Sequence, residues 1–247
     1  MIVTISRKEL KMLFASPLAW LLLTLMQLIP TWILLGRLDA FLEIQSQLLQ
    51  IANPPGVTEL IILPVFAMAG LVLLMVTPLL SMRLLAEERR NHTLTLLISA
   101  PISITDIVIG KFFGVMVFFL MIIALIVALC MSLLLGGNID FGLIISNVIG
   151  LLLLTACFTA LGLYISSLTV QPAVAAIITL GGLLGLWLID LAADGGNQWL
   201  QSISLLRHFE RFNQGLIDTF SLVYFILFTA TFLILTIRRL DSERLHG

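Results

Sequence analysis

The sequence predicts an all-α integral membrane protein: six transmembrane helices, an N-terminal amphipathic interfacial helix and one short helix on the cytoplasmic side. Three observations carry that prediction. Hydrophobic residues make up 60% of the 247 and charged residues 11%, with a mean hydropathy of +1.14; a soluble domain is about half apolar and about one quarter charged. A compact globule could bury much of this apolar excess and would still lack the charge to cover the rest. Long uncharged runs recur, and the stretch 141–189 holds no Asp, Glu, Lys, Arg or His. Finally, the basic residues cluster on alternate sides of these runs. A net charge of −1 without a basic stripe excludes a nucleic-acid binder. Cys130 and Cys157 both lie inside apolar runs and read as small core residues.

Crossing about 30 Å of hydrocarbon takes about 20 apolar residues in a helix. On that measure the chain is a single transmembrane domain, 1–247, with spans at 17–36, 60–82, 107–135, 142–166, 172–189 and 219–237. The long uncharged stretch is divided at Ser166-Ser167-Leu168-Thr169-Val170-Gln171-Pro172, where proline suits the first turn of a new helix. The apolar run after the first basic residues is too long for a signal-peptide core, and no small-x-small site follows it, so it is retained as a span. Residues 1–16 mix Ile2, Ile5, Leu10, Leu13 and Phe14 with Arg7, Lys8, Glu9 and Lys11. This pattern predicts an amphipathic helix on the inner leaflet, the alternative being a solvated tail.

An even number of spans puts both termini on one side. If that side is the cytoplasm, Arg7, Lys8, Lys11, Arg83, Arg89, Arg90, Lys111, Arg238, Arg239 and Arg244 lie inside; only Arg37, Arg207 and Arg211 lie outside. Basic residues collect in cytoplasmic segments, which fixes the orientation.

No formal charge is expected well inside a span: Arg37, Glu59, Asp190 and Asp218 sit at span ends. Proton-coupled carriers and pumps carry ionisable groups at membrane depth, so those classes are excluded. A membrane hydrolase lacks its residues here, and His92, His208 and His246 are scattered. There is no G-x-x-x-x-G-K-[ST] phosphate loop. Gly110-Lys111 resembles its end, but Thr105 replaces the first glycine and Phe112 the Ser or Thr. The chain is therefore not an enzyme, has no catalytic or metal residues, and depends on another subunit for energy.

The longest inner connection, 83–106, begins with Arg83, Glu87, Glu88, Arg89 and Arg90 and continues through Thr93, Leu94, Leu96, Leu97 and Ile98 to Pro101. Its first part reads as a helical extension of the second span. Its second part is a short helix with an apolar stripe, closed by proline. Spacing alone leaves two uses open: a lever for a cytoplasmic partner, or an interfacial segment.

Residue types favour the lever. Arg83-x-x-x-Glu87-Glu88, Thr93-Leu94-x-Leu96-Leu97-x-Ser99-x-Pro101 and Ile109-Gly110-Lys111-Phe112-x-Gly114 resemble the permease subunits of type-two ABC exporters. The resemblance extends to Ser166-Ser167-Leu168-Thr169 and Phe209-x-x-Phe212-x-x-Gly215-x-Ile217-Asp218, and it is nearest the gliding-motility-associated, GldF-like permease group. His92 stands where that pattern has glycine. The resemblance implies that 83–106 is a coupling segment seated in an ATPase, with two ATPase copies and a second permease copy or paralogue. It implies ATP and magnesium on the partner and no cofactor on this chain. It also implies a bacterial cytoplasmic membrane, contact with lipid, and room for an extracytoplasmic accessory subunit.

Gly110-x-x-x-Gly114 and Gly181-x-x-x-Gly185 permit close helix approach, and packing within the subunit is their expected use. The outer segment 193–217, with Trp199, Phe209, Phe212, Gly215 and Asp218, is amphipathic and long enough for two short helices. The resemblance implies a re-entrant pair there; interfacial anchoring is the simpler reading. Uncharged spans suit a lipidic, amphiphilic or protein-linked cargo. The alternative function is a non-transporting scaffold that docks a cytoplasmic partner.

Overall fold

The computed structural model describes residues 1–48, 56–94, 102–135, 140–193 and 204–246. Every regular element among them is helical. In chain order these are α1 (Ile2–Ala15), α2 (Pro17–Leu48), a π turn (Thr58–Ile62) running into α3 (Leu63–Ser81), and α4 (Ala86–Arg90). Then come α5 (Ile104–Met131) with a 3-10 turn (Ser132–Leu135), α6 (Phe141–Leu168), α7 (Pro172–Ala193), α8 (Leu205–Asn213) and α9 (Thr219–His246). Six of these segments are long and apolar enough to cross a membrane. The chain is an all-α membrane protein.

Local chemistry sets the boundaries. Ser16, ahead of Pro17, is extended at φ −87°, ψ 133°, because a proline ring pushes the preceding residue out of the helical region. The chain therefore turns between α1 and α2. Pro64 has no amide hydrogen to continue the ladder; the backbone widens just before it, and the Leu63 amide reaches back to the Thr58 carbonyl. Ser103, Asp140 and Ser204 cap the starts of α5, α6 and α8, each accepting from an amide in the first turn.

The central element is α6, most of which is buried, with α3, α5, α7, α8 and α9 packed around it. By contrast, α2, α7 and α9 turn most of their apolar surface outward. One end of the bundle gathers α1, α4 and the last turns of α9; the other gathers α8, the π turn and the start of α6.

Several expectations need correction. The first span does not end at Gly36: α2 runs on through Leu48, so the helix stands clear of the apolar stretch. Hydropathy detects the part that suits lipid, whereas the helix itself continues while its backbone bonds do. The second span does extend to Arg90, but Met82 to Leu85 form turns that set α4 off from α3. One face of α1, with Ile5, Ser6 and Glu9, packs along α5, while Val3 and Met12 stay exposed. And one charge does enter a predicted span: Lys111 is 1% exposed within α5.

Candidate functional site

At the end that carries both termini, α4 is a five-residue helix held on three sides. The first contact is with backbone. Where the chain breaks between α3 and α4, the Leu85 and Ala86 amides lose their helical partners. The buried Ser166 hydroxyl of α6 accepts from both, at 3.1 and 3.0 Å, and donates to the Met82 carbonyl at 3.1 Å. One donor and two acceptor positions are all a serine hydroxyl has, and all three are used.

The second contact is ionic. Lys111 Nζ donates to Glu9 Oε1 of α1 at 2.7 Å and to Glu88 Oε1 of α4 at 2.8 Å. Lys8 approaches Glu88 from the rim at 3.9 Å. The third lies on the opposite side, where the Arg89 guanidinium Nη2 donates to both oxygens of Glu243 in α9, at 2.6 and 2.7 Å. Arg239 adds a contact to the same carboxylate at 3.3 Å. Consecutive residues of α4 thus tie it to α1 and α5 on one side and to α9 on the other.

Glycine makes the first of those ties possible. A Cβ on Gly110 would lie 2.8 Å from the Ile5 Cβ, and one on Gly114 would lie 2.8 Å from the Glu9 Cβ. Such approaches require that the position carry no side chain. The Ser6 hydroxyl, between them, donates to the Gly110 carbonyl at 2.8 Å. Gly110 and Gly114 therefore seat the N-terminal helix, and by seating it bring Glu9 onto Lys111. Gly181 and Gly185 differ from expectation: nothing lies within 4 Å of either, so they pack against no other described part of the chain.

The remaining residues expected to couple differ in exposure. Arg83 Nη1 donates to the Ser16 hydroxyl at 3.1 Å. Glu87 is half-buried and Arg90 exposed; with Arg83 and Asn91 they form one wall of a cleft of about 930 Å³, whose other wall is Gln171 and Pro172. His92 ends the turn at φ 56°. That left-handed geometry suits glycine best, and the turn persists with histidine in it. The Thr93 hydroxyl donates to the Glu88 carbonyl at 3.3 Å, and Leu94 is buried. Leu96, Leu97 and Pro101 lie outside the described residues.

At the opposite end, α8 is drawn into the bundle rather than laid on its rim. Phe209, Phe212 and His208 are buried, and a Cβ on Gly150 of α6 would meet Phe212 at 2.7 Å. The Ser146 hydroxyl and the Asn147 amide donate to the Phe212 and Asn213 carbonyls at 2.8 and 3.1 Å, closing the end of α8. His208 shares a 2.9 Å hydrogen bond with Ser221 and lies against Tyr224. Gly215 turns the chain at φ 83°, and Asp218 pairs with Arg211 at 2.8 Å. Ser204 bonds to Asp190. Trp199 lies outside the described residues. Of this segment α8 is the described helix; nothing described forms a second one.

The sequence reading missed Glu9, Ser166 and Glu243 as members of the α4 junction, and read Lys111 as an inner basic residue and part of the 109–114 motif, not as an ion-pair partner. Their partners lie 23 to 154 positions away along the chain, beyond the reach of helical spacing. The buried lysine four residues into a predicted span was the one available signal. Among the described residues no group of three or more His, Cys, Asp or Glu is placed to hold a metal. What the junction can do is mechanical: it joins four helices through one short one.

A family model, described as the ABC-2 family transporter protein, matches residues 3–245. No curated protein matches the chain. Members of this family form the membrane component of transporters powered by an ATPase partner subunit. With six candidate membrane helices and a match over nearly its whole length, the chain belongs to the ABC-2 family, as a multi-pass ABC transporter permease.

Proposed function

We propose that this permease works as an exporter half: it pairs with a second permease, sits over two ATPase subunits, and moves with them through the segment from Arg83 to Pro101. Both termini and α4 then face the cytoplasm. The observation that carries this reading is α4 itself, set off from α3 by turns and opening on a cleft lined by Glu87 and Arg90. A segment set off in this way and anchored to several helices suits the reception of an outside force. Placement beside the gliding-motility-associated permeases rests on the late motif of 209–218.

The outward faces support pairing. In α7, Gly181 and Gly185 stand open beside exposed Ile177, Ile178 and Leu188, a surface on which another helix can approach closely. Cargo of lipidic or amphiphilic kind is supported by the groove between α2 and α3. It is a shallow trough of about 620 Å³ with Trp32, Met68 and Leu71 along it and Arg37 at its outer rim.

The test separates Glu87 from Glu88, because Glu88 is already engaged with Lys111. Glu87→Lys is expected to lower co-purification of the ATPase by about tenfold, a coupling loss of roughly 1.4 kcal/mol, with the permease still folded. Unchanged ATPase recruitment and unchanged ATP turnover would overturn the reading.

A further inference from the structure

We infer that Glu243 is a positioning residue for coupling: it fastens the last membrane helix to α4, so that force arriving at α4 is delivered to α9 directly and not only along the chain into α3. This inference rests on the ATPase-driven reading above and adds a second output to it.

The geometry of α4 supplies the argument. Five residues make too short a helix to hold a position by its own hydrogen bonds, so its placement is set by what grips it. Glu88 and Arg89 are adjacent and project to opposite neighbours. On one side Glu88 meets Lys111, itself held by Glu9. On the other, Arg89 chelates Glu243 through both carboxylate oxygens. Both bonds start from one guanidinium nitrogen, Nη2, so the contact sets the distance between α4 and α9 as a short charge-assisted pair. The side chains keep only 14% and 29% of their exposure, so the pair is partly withdrawn from water.

The rest of α9 fits this use. It continues past its apolar stretch to His246, and Leu240, one turn before Glu243, is 1% exposed. Leu240 thus anchors α9 one turn before Glu243, while Asp241 and Arg244 on either side of Glu243 are exposed. The same helix lies along α6 through the membrane and reaches the outer end, where Ser221 bonds to His208 of α8. A displacement of Glu243 is thus carried by one continuous helix from α4 to the opposite end of the bundle. Charge pairing alone does not require this placement; Arg239, four residues before Glu243 on the same helix, already offers that carboxylate a local partner.

The experiment uses the permease co-expressed and purified in lipid nanodiscs with the ATPase subunit that accompanies it. Glu243→Arg is expected to leave the ATPase bound while reducing the permease-dependent part of ATP turnover by about fivefold, the lower bound of ordinary site-to-site coupling. Arg89→Glu combined with Glu243→Arg should restore turnover to within about twofold, as a charge exchange between true partners does. If the exchanged pair folds poorly, Arg89→Cys with Glu243→Cys provides the second variant. It should be uncoupled when free and recover when a short bifunctional thiol reagent bridges the two positions, since Cys130 and Cys157 are buried. Full turnover in Glu243→Arg, or failure of both the exchange and the bridge to restore it, would overturn the inference. Failure of the wild-type chain to retain any ATPase would instead overturn the exporter reading on which it rests.

Discussion

Moving a lysine ammonium out of water costs several kcal/mol, and the cost is offset only when carboxylates meet it at good geometry. At Lys111 two do so, at 2.7 and 2.8 Å. Truncation would leave the buried Glu9 unmatched and Glu88 with only the distant Lys8 at 3.9 Å. Lys111→Ala is expected to destabilise the permease by about 3–5 kcal/mol, the range for breaking a buried pair from one side. Replacing Lys111 and Glu88 by Met and Glu9 by Leu removes these three charges at similar volume, leaves Lys8 at the rim, and should return most of that loss. Chemical unfolding in detergent measures both, and a Lys111→Ala protein as stable as wild type would contradict the account. The residue scale also explains His92. Where the family pattern has glycine, this chain holds histidine at φ 56°. The left-handed turn belongs to the backbone path, and histidine tolerates it at a cost that the surrounding junction offsets.

At the scale of elements, the break between α3 and α4 depends on a hydroxyl from a helix 80 positions away. Ser166→Ala would leave the Leu85 and Ala86 amides and the Met82 carbonyl without their partner, and each unmatched buried group costs about 1–3 kcal/mol. Hydrogen exchange at Leu85 and Ala86 should accelerate by at least about tenfold, equivalent to roughly 1.4 kcal/mol. Unchanged exchange would show that other contacts hold the break. The Ser166-Ser167-Leu168-Thr169 segment was visible in the sequence as a polar gap, but its partner was not. The same limit applies to Gly110 and Gly114. Their spacing announced a close approach, yet nothing local identified α1 as the helix that makes it. In the sequence Glu88 and Arg89 read as part of the segment offered to an ATPase, and the structure engages both with other helices of the same chain. Hydropathy marked the apolar part of each span well. It missed the true ends of α2 and α9, because helical hydrogen bonding continues where apolar content stops.

Across the whole molecule, these junctions lie at the two ends of a packed body; on the proposed function, one end receives force and the body responds. That end brings together the first helix, the short α4 and the last turns of α9. The body is α6 with its neighbours, and α8 closes the far end over Gly150 and Asn147. Because most residues of α2, α7 and α9 stay exposed in the single chain, their outward faces are open to lipid or a second permease. The fold class and the number of spans were legible from composition and uncharged runs alone, since both follow from what lipid excludes. How the ends are tied together was not, since ion pairs across 102 and 154 positions leave no periodic trace.

The most direct test is a photo-activated crosslinker placed at Arg90, on the exposed side of α4, and activated in intact membranes. A covalent adduct with a nucleotide-binding subunit, formed from the cytoplasmic side, is the predicted result. Reaction only with components outside the membrane, or transport by the purified chain without any ATPase, would contradict the account.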